Sequence, residues 1–297
     1  MSFINSNWYI ALIFCLVFFI GGRQLAEVPG TRPGTRRNVN LVLAAIALPA
    51  LLFPIAYLPG LLAASPWYNT FRSVNRVELL SALIAPAAGY ATYRKPESPY
   101  RVYKPSAAAA VFRVVKPFAL PFCLLIVSLN FAGPLLMPLD KNMEFNGSWT
   151  ENGVFIPSAR QLSGPVAIMN MMYVLSNDAE GEYETAKGTY SDRAGTEFWY
   201  IARYAVNRGY RVKFVKPEGA ADVPIPSIIT VSPVSDKRDS NSQTGVDTYI
   251  TLLARSAEGV ITVGDPVFGR LELSISDFIS RYGEPVLALV LSAPSAQ

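Results

Sequence analysis

Apolar positions along the chain follow two regimes. Up to residue 139 they run in long uncharged blocks, and beyond it they alternate with polar residues at the spacings of a globular domain. Met1 to Gly22 carries no charge. Its core, Trp8 to Gly22 (WYIALIFCLVFFIGG), reaches with its polar flank toward the roughly 20 residues that cross a bilayer. A second block from Asn38 to Phe71 holds a span near Val39 to Leu62 and then an interfacial segment whose Trp67, Tyr68 and Phe71 suit the headgroup belt. A third, Val77 to Tyr93, is Ala-rich with Glu78 at its start, and a fourth, Pro117 to Leu139, is uncharged throughout. This pattern predicts an α-helical membrane region of four spans, at about 8–22, 39–62, 77–93 and 117–139, within residues 1–139.

From Asp140 to Gln297 the pattern predicts one further domain. Helical periodicity covers Gly164 to Leu175 and Thr196 to Arg208, the latter ended by Gly209. Strands are expected near Arg211 to Val215, Ile225 to Val231, Thr248 to Ala254 and Val260 to Val263, then a helix from Ser276 to Tyr282 and a strand from Pro285 to Leu291. Helices first and strands afterwards indicate an α+β domain, and nearly 160 residues suffice for its own core.

Charge sharpens this division. Only 16% of the 297 residues are charged and 51% are hydrophobic, against about 25% charged in ordinary soluble domains. Residues 1–139 hold 12 Lys/Arg against 3 Asp/Glu, and residues 140–297 hold 14 against 19. The basic excess therefore accompanies the apolar blocks and does not mark a nucleic-acid-binding face. It also sorts the loops. Residues 23–38 carry Arg23, Arg32, Arg36 and Arg37, and 94–116 carry six Lys/Arg, whereas 64–76 carries only Arg72 and Arg76. Positive short loops stay cytoplasmic, so four spans place the N-terminus and the second domain outside the cytoplasm. The stretch Met1 to Gly22 lacks a basic n-region and a small-x-small site, which favours a membrane helix over a cleaved signal.

Chemistry is bounded by what is missing. The sequence contains no histidine, and its two cysteines, Cys15 and Cys123, each lie inside an apolar block. Histidine-dependent catalysis, the usual zinc sites and a disulfide framework in the second domain are thereby excluded, and no cofactor is expected. Glu78 is open to two readings: a carboxylate reaching water from a span's end, or a buried functional group on a transport path. Pro49, Pro54, Pro59, Pro86, Pro121 and Pro134 interrupt the spans, either as kinks around a cavity or as the ordinary proline of membrane helices. Pro105 to Lys116 reads as an amphipathic segment on the inner leaflet. Ser235 to Thr244 (SDKRDSNSQT) lacks the glycine of a calcium loop and reads as a solvated loop despite Asp236, Asp239 and Asn241. Asn146-Gly147-Ser148 matches a glycosylation acceptor.

A set of motifs orders the second domain. Trp149-x-x-x-Gly153-Val154 leads into Ser163-Gly164-Pro165-x-Ala167 at a helix start. Gly195-Thr196 opens the next helix, Asp247-Thr248-Tyr249-Ile250 begins a strand, and Asp265-Pro266-x-x-Gly269-Arg270 follows. In this order and spacing, Gly153 to Leu291 resembles the papain-like, double-glycine leader peptidase family, whose members process bacteriocin precursors. The resemblance implies a papain-like cysteine-peptidase fold. In that family a Cys-Gly-Pro opens the first helix, and the matching residue here is Ser163. The glutamine of the oxyanion hole is matched by Pro157, which has no side-chain amide and no N–H. The catalytic histidine is matched by Thr248, with Asp247 beside it, and only the orienting carboxylate, Asp265, is retained.

A serine hydroxyl without an imidazole is a poor nucleophile near neutral pH. The resemblance therefore implies a membrane-anchored pseudopeptidase, not an enzyme, with Ser163, Asp247, Thr248 and Asp265 as residues of a vestigial cleft. Asp265 either accepts backbone hydrogen bonds in its turn or binds a cationic partner group. The expected partners are the lipid bilayer and a peptide or protein, in a subunit or assembly factor of a larger membrane complex. The expected place is a bacterial inner membrane with the second domain in the periplasm. Two alternatives stay open: a membrane-bound hydrolase using other residues, such as Ser163 with Lys141 or Asp247, and a transporter with a regulatory domain.

Overall fold

The computed structural model describes residues 6–27, 33–55, 64–93, 116–140, 142–178, 180–231 and 248–293. They fall into two compact bodies, each discontinuous in sequence. The first comprises Asn5–Leu61 with Arg76–Ala132, and the second comprises Leu62–Asn75 with Gly133–Gln297. The boundary expected after residue 139 lies at 132, and the second body also takes in the end of the second apolar block and the residues that follow it, 62–75.

The first body is helical. It contains α1 (Ser6–Glu27) and α2 (Pro33–Ile55). The short α3 (Pro66–Ser73) belongs to the second body, and the chain returns to the first through a 3-10 segment, Val77–Ile84, that runs into α4 (Ala85–Tyr93). After a 3-10 turn at Lys116–Phe118 comes α5 (Ala119–Leu129). Small residues line the inward face of α1: Ala11 and Cys15 are fully buried, while Ile13, Phe14, Val17 and Ile20 point outward. Close approach is backbone to backbone, since a Cβ on Gly22 would run into the Pro86 carbonyl oxygen and one on Gly89 into that of Phe19. Trp8 donates its indole N–H to Ser128 Oγ at 3.2 Å, tying α1 to α5.

The described helices do not support the four expected spans at 8–22, 39–62, 77–93 and 117–139. Among the described residues one helix, Asn7–Ala26, is long and apolar enough to cross a membrane; Asn38–Leu51 and Lys116–Leu129 are shorter apolar helices. Proline explains two of the interruptions. Pro86 cannot donate to the carbonyl of residue 82, and the third block begins as 3-10 helix, with the Ala85 N–H bonded to Ala82. Pro134 cannot donate to residue 130, and the fourth block breaks at Asn130 and Phe131 before the short α6 (Ala132–Leu136).

The second body is α+β. Its short β1 (Ser148–Trp149) and β2 (Phe155–Ile156) pair as a hairpin ahead of α7 (Ser163–Ser176), α8 (Glu182–Gly188) and α9 (Phe198–Asn207). The main sheet comprises β3 (Arg211–Val215), β4 (Ser227–Val231), β5 (Thr248–Arg255), β6 (Ile261–Asp265), β7 (Gly269–Leu273) and β8 (Leu287–Ser292). The order is β3-β8-β4-β5-β6-β7, antiparallel throughout. Residue alternation splits the core. Ile228, Tyr249, Leu287 and Leu289 face α7 and α9 in one cluster, and Ile229, Ile250 and Ala288 face α10 (Ile275–Tyr282) in the other. Both sheet faces are thus covered by helix.

The loop helix α3 packs on α9 and β3. Tyr68, Asn69, Arg72 and Ser73 are buried on it. Tyr68 meets the Trp199 ring edge-on at 5.9 Å, and the Arg72 guanidinium lies 4.9 Å from the centre of the same ring. The buried Arg203 of α9 donates to the carbonyls of Arg72 (2.5 Å) and Ser73 (3.4 Å), a cation placed at the C-terminal end of α3. The headgroup belt expected for Trp67, Tyr68 and Phe71 is therefore divided, with Tyr68 inside the second body.

Candidate functional site

Ser163 is the first residue of α7 and is 2% exposed. Its position is set from two sides. Gly164 permits close approach of Thr196 and of α9, which follows it, since a Cβ there would meet Thr196 Cβ at 2.9 Å and Ile201 Cδ1 at 3.0 Å. Strand β5 is laced to the same helix, with the Tyr249 N–H donating to Ser163 Oγ at 3.4 Å and Thr251 Oγ1 donating to the Ala167 carbonyl at 3.3 Å. The Tyr249 hydroxyl donates to the Thr196 carbonyl at 2.6 Å, closing the corner. The structure places the start of β5, Thr248–Tyr249, beside Ser163 through the Tyr249 N–H. Thr248 is half-buried and Asp247 lies outside the described residues.

Asp265 ends β6, next to Gly264, which pairs with Thr251 of β5. It is 3% exposed, and both carboxylate oxygens are engaged. Oδ1 accepts from the N–H groups of Val267 (2.6 Å) and Phe268 (2.9 Å), and Oδ2 accepts from the Tyr282 hydroxyl of α10. Burial, and then this bond to Asp265, pushes the Tyr282 phenol well above its ordinary range. Of the two roles open for Asp265, the geometry is that of the turn.

Pro157 follows β2, six residues ahead of Ser163, and offers no N–H to an oxyanion. Its surroundings are held by two side chains that motif reasoning did not single out. Asn170, on α7, accepts from the Phe155 N–H at 2.7 Å and donates back to the Phe155 carbonyl at 3.3 Å. Glu182, buried at the start of α8, accepts from the Ser158 N–H (2.7 Å) and the Gly147 N–H (3.1 Å). A lone Asn in a buried apolar helix was the available signal for the first. The second had none, because its partners are backbone amides.

Other expectations fall elsewhere. Lys141, the loop with Asp236, Asp239 and Asn241, and most of the segment Pro105 to Lys116 lie outside the described residues. Glu78 does not reach water; it is fully buried in the first body. No group of three metal-ligating side chains occurs among the described residues. A depression of about 540 Å³ in the second body is lined by Glu180, Glu184, Lys187, Tyr190, Tyr204 and Arg208, and Ser163, Thr248 and Asp265 are not in its walls. There Arg208 pairs with Glu180 and holds that carboxyl below its ordinary range, and the Tyr204 hydroxyl donates to it as well.

The second body thus defines an α+β domain in which a helix-initial serine meets the first strand of a hairpin pair whose far member ends in a buried aspartate. No protein-family model and no curated protein matches the chain. Among solved structures it is similar to the peptidase domain of Streptococcus ComA, a bi-functional ABC transporter involved in a quorum-sensing pathway, at 17% identity over 51% of this chain and all of that one, with a TM-score of 0.38. It is similar also to a double-glycine-motif protease from an AMS/PCAT transporter, in complex with the leader peptide, at 11% identity over 52% of this chain and 96% of that one, TM-score 0.39. A third is the peptidase domain of Streptococcus mutans ComA, at 17% identity over 44% of this chain and 91% of that one, TM-score 0.31.

Proposed function

We propose that this protein is a membrane-anchored pseudopeptidase whose second body binds a peptide or partner protein without cleaving it, as a subunit or assembly factor of a membrane complex. One observation carries the reading: Ser163 stands at the helix start with its Oγ receiving the Tyr249 N–H at 3.4 Å, in a chain that contains no histidine. A hydroxyl so placed has a fixed position and no imidazole to remove its proton. The motif order from Gly153 to Leu291 supports the papain-like resemblance, and the bonds of Asp265 to its own turn support a structural remainder of the site.

The anchor in this proposal is α1, which buries small side chains and turns large apolar ones outward, as lipid-facing helices do. A multi-pass arrangement with the second body outside the cytoplasm belongs to the same proposal and rests on the loop charges. A serine-directed fluorophosphonate applied to the purified full chain tests the catalytic half: the reading expects no labelling above that of Ser163→Ala. Purification from the native membrane tests the binding half, where the reading expects a stoichiometric partner whose retention falls on substituting Thr248 by a bulky residue.

A second reading, transport through the helical body with the second body as regulator, is favoured by the complete burial of Glu78. Solute flux in vesicles that disappears in Glu78→Gln would support it over the first.

A further inference from the structure

We propose that α3 is a two-faced clamp, one face gripping α9 and the other lying in the headgroup region of a bilayer, so that the second body is held flat against the membrane surface. The inference rests on the membrane reading of the first body. The gripping face is Tyr68, Asn69, Arg72 and Ser73, all buried, with Arg203 bonded to its last carbonyls. On the opposite side, at i, i+4 and i+7, stand Trp67, Phe71 and Val74. Trp67 is 69% exposed and Val74 57%, and the Trp67 ring stacks on Phe71 with planes 1° apart. The face that grips the second body is thus largely polar, and the exposed apolar residues stand on the side that body leaves uncovered.

The occupant follows from the chain and the chemistry of the face. Ser73 is four residues from Val77, where the apolar 3-10 segment of the first body begins, so the chain allows at most about 14 Å between them. A bilayer around the first body therefore brings its headgroup layer within reach of α3. A tryptophan with an exposed ring beside a second aromatic is the side-chain type that settles at that depth, its apolar ring buried and its N–H wet.

The test uses the full chain with Cys15→Ala and Cys123→Ala, bearing one cysteine labelled with an environment-sensitive fluorophore, in phosphatidylcholine–phosphatidylglycerol vesicles containing lipid-borne nitroxide quenchers. Single cysteines are Trp67→Cys, Val74→Cys, Val17→Cys on the outward face of α1, and the exposed Glu258→Cys. Quenching at 67 and 74 several-fold above that at 258, strongest with shallow quenchers, is the expected result, and Trp67→Ser should lower the quenching at 74 several-fold. Quenching at 17 with water-like behaviour at 67 and 74 overturns the clamp and leaves the membrane reading standing. Probes at 67 and 74 shielded from both water and lipid would show a protein on this face and also overturn it. Failure of quenching at 17 removes the membrane reading and the clamp together.

Discussion

Asp265, which the papain-like resemblance matches to an orienting carboxylate, is held by structural bonds. Its three hydrogen bonds go to its own turn and to Tyr282, joining β6 to α10 across the second core cluster. Asp265→Asn keeps an acceptor for the turn and loses the charged acceptor for the phenol, so a loss of about 1–3 kcal/mol is expected in urea unfolding of the full chain in mild detergent. Tyr282→Phe should cost less when Asp265→Asn is already present than alone. Asp192 gives a pH dependence. Burial raises its carboxyl to about 6, against weaker opposing bonds from the Ala194 and Gly195 N–H groups. A raised carboxyl favours the protonated folded state, so its contribution is full below about pH 4 and is lost as pH rises through 6. Asp192→Asn should therefore raise the melting temperature at pH 7.5 by a few degrees, about 2–4 °C per kcal/mol, and leave it unchanged near pH 4. At the site itself, Ser163→Cys should acquire no peptide cleavage in a fluorogenic assay, since a thiol there still has no imidazole to ionise it.

At the scale of elements, the contact between α3 and α9 makes the clearest demand. Arg203→Met removes the donor to two carbonyls at the end of α3 and should destabilise the second body by about 3 kcal/mol, read as a lower urea midpoint by fluorescence. This element was also the one least legible beforehand. Tyr68 read with Trp67 and Phe71 as a lipid interface, because periodicity reports that a face is buried and not what buries it, and its ring lies against Trp199. Elsewhere legibility tracked regularity. Strand β3 was expected at its observed ends, and α7 and α9 within two residues, because apolar alternation and the stop at Gly209 were strong. Strand β7 was missed: it is the sheet's edge, its Arg270 and Glu272 are turned outward, and two apolar residues remain to mark it. Helix α8, seven residues of mixed polarity, carried too little pattern. Motif order set Ser163 and Thr248 down as an expected pair, and the observed neighbour of Ser163 is the Tyr249 N–H; the supports from Asn170 and Glu182 act on backbone groups and have no sequence partner to reveal them.

For the whole molecule, the two regimes of hydrophobicity correspond to two bodies, yet their boundary is not the change in composition. The second body borrows residues 62–75 from the end of the second apolar block and just beyond it, so a fragment beginning at residue 140 lacks the helix that covers Trp199. The charge contrast, 12 Lys/Arg to 3 Asp/Glu against 14 to 19, accompanies a first body whose α1 and α2 turn large apolar side chains outward and a second whose buried clusters are those of a covered sheet. The proposed role, holding a chain rather than cutting it, asks of the second body a packed core and a Ser163 with no imidazole in the chain to activate it. The most direct test is a mixture of proteome-derived peptides incubated with the purified full chain and with Ser163→Ala, with retained peptides and new termini read in the same mass spectra. The account predicts a set of peptides retained intact by both proteins. New termini produced by the unaltered chain and absent with Ser163→Ala would contradict it.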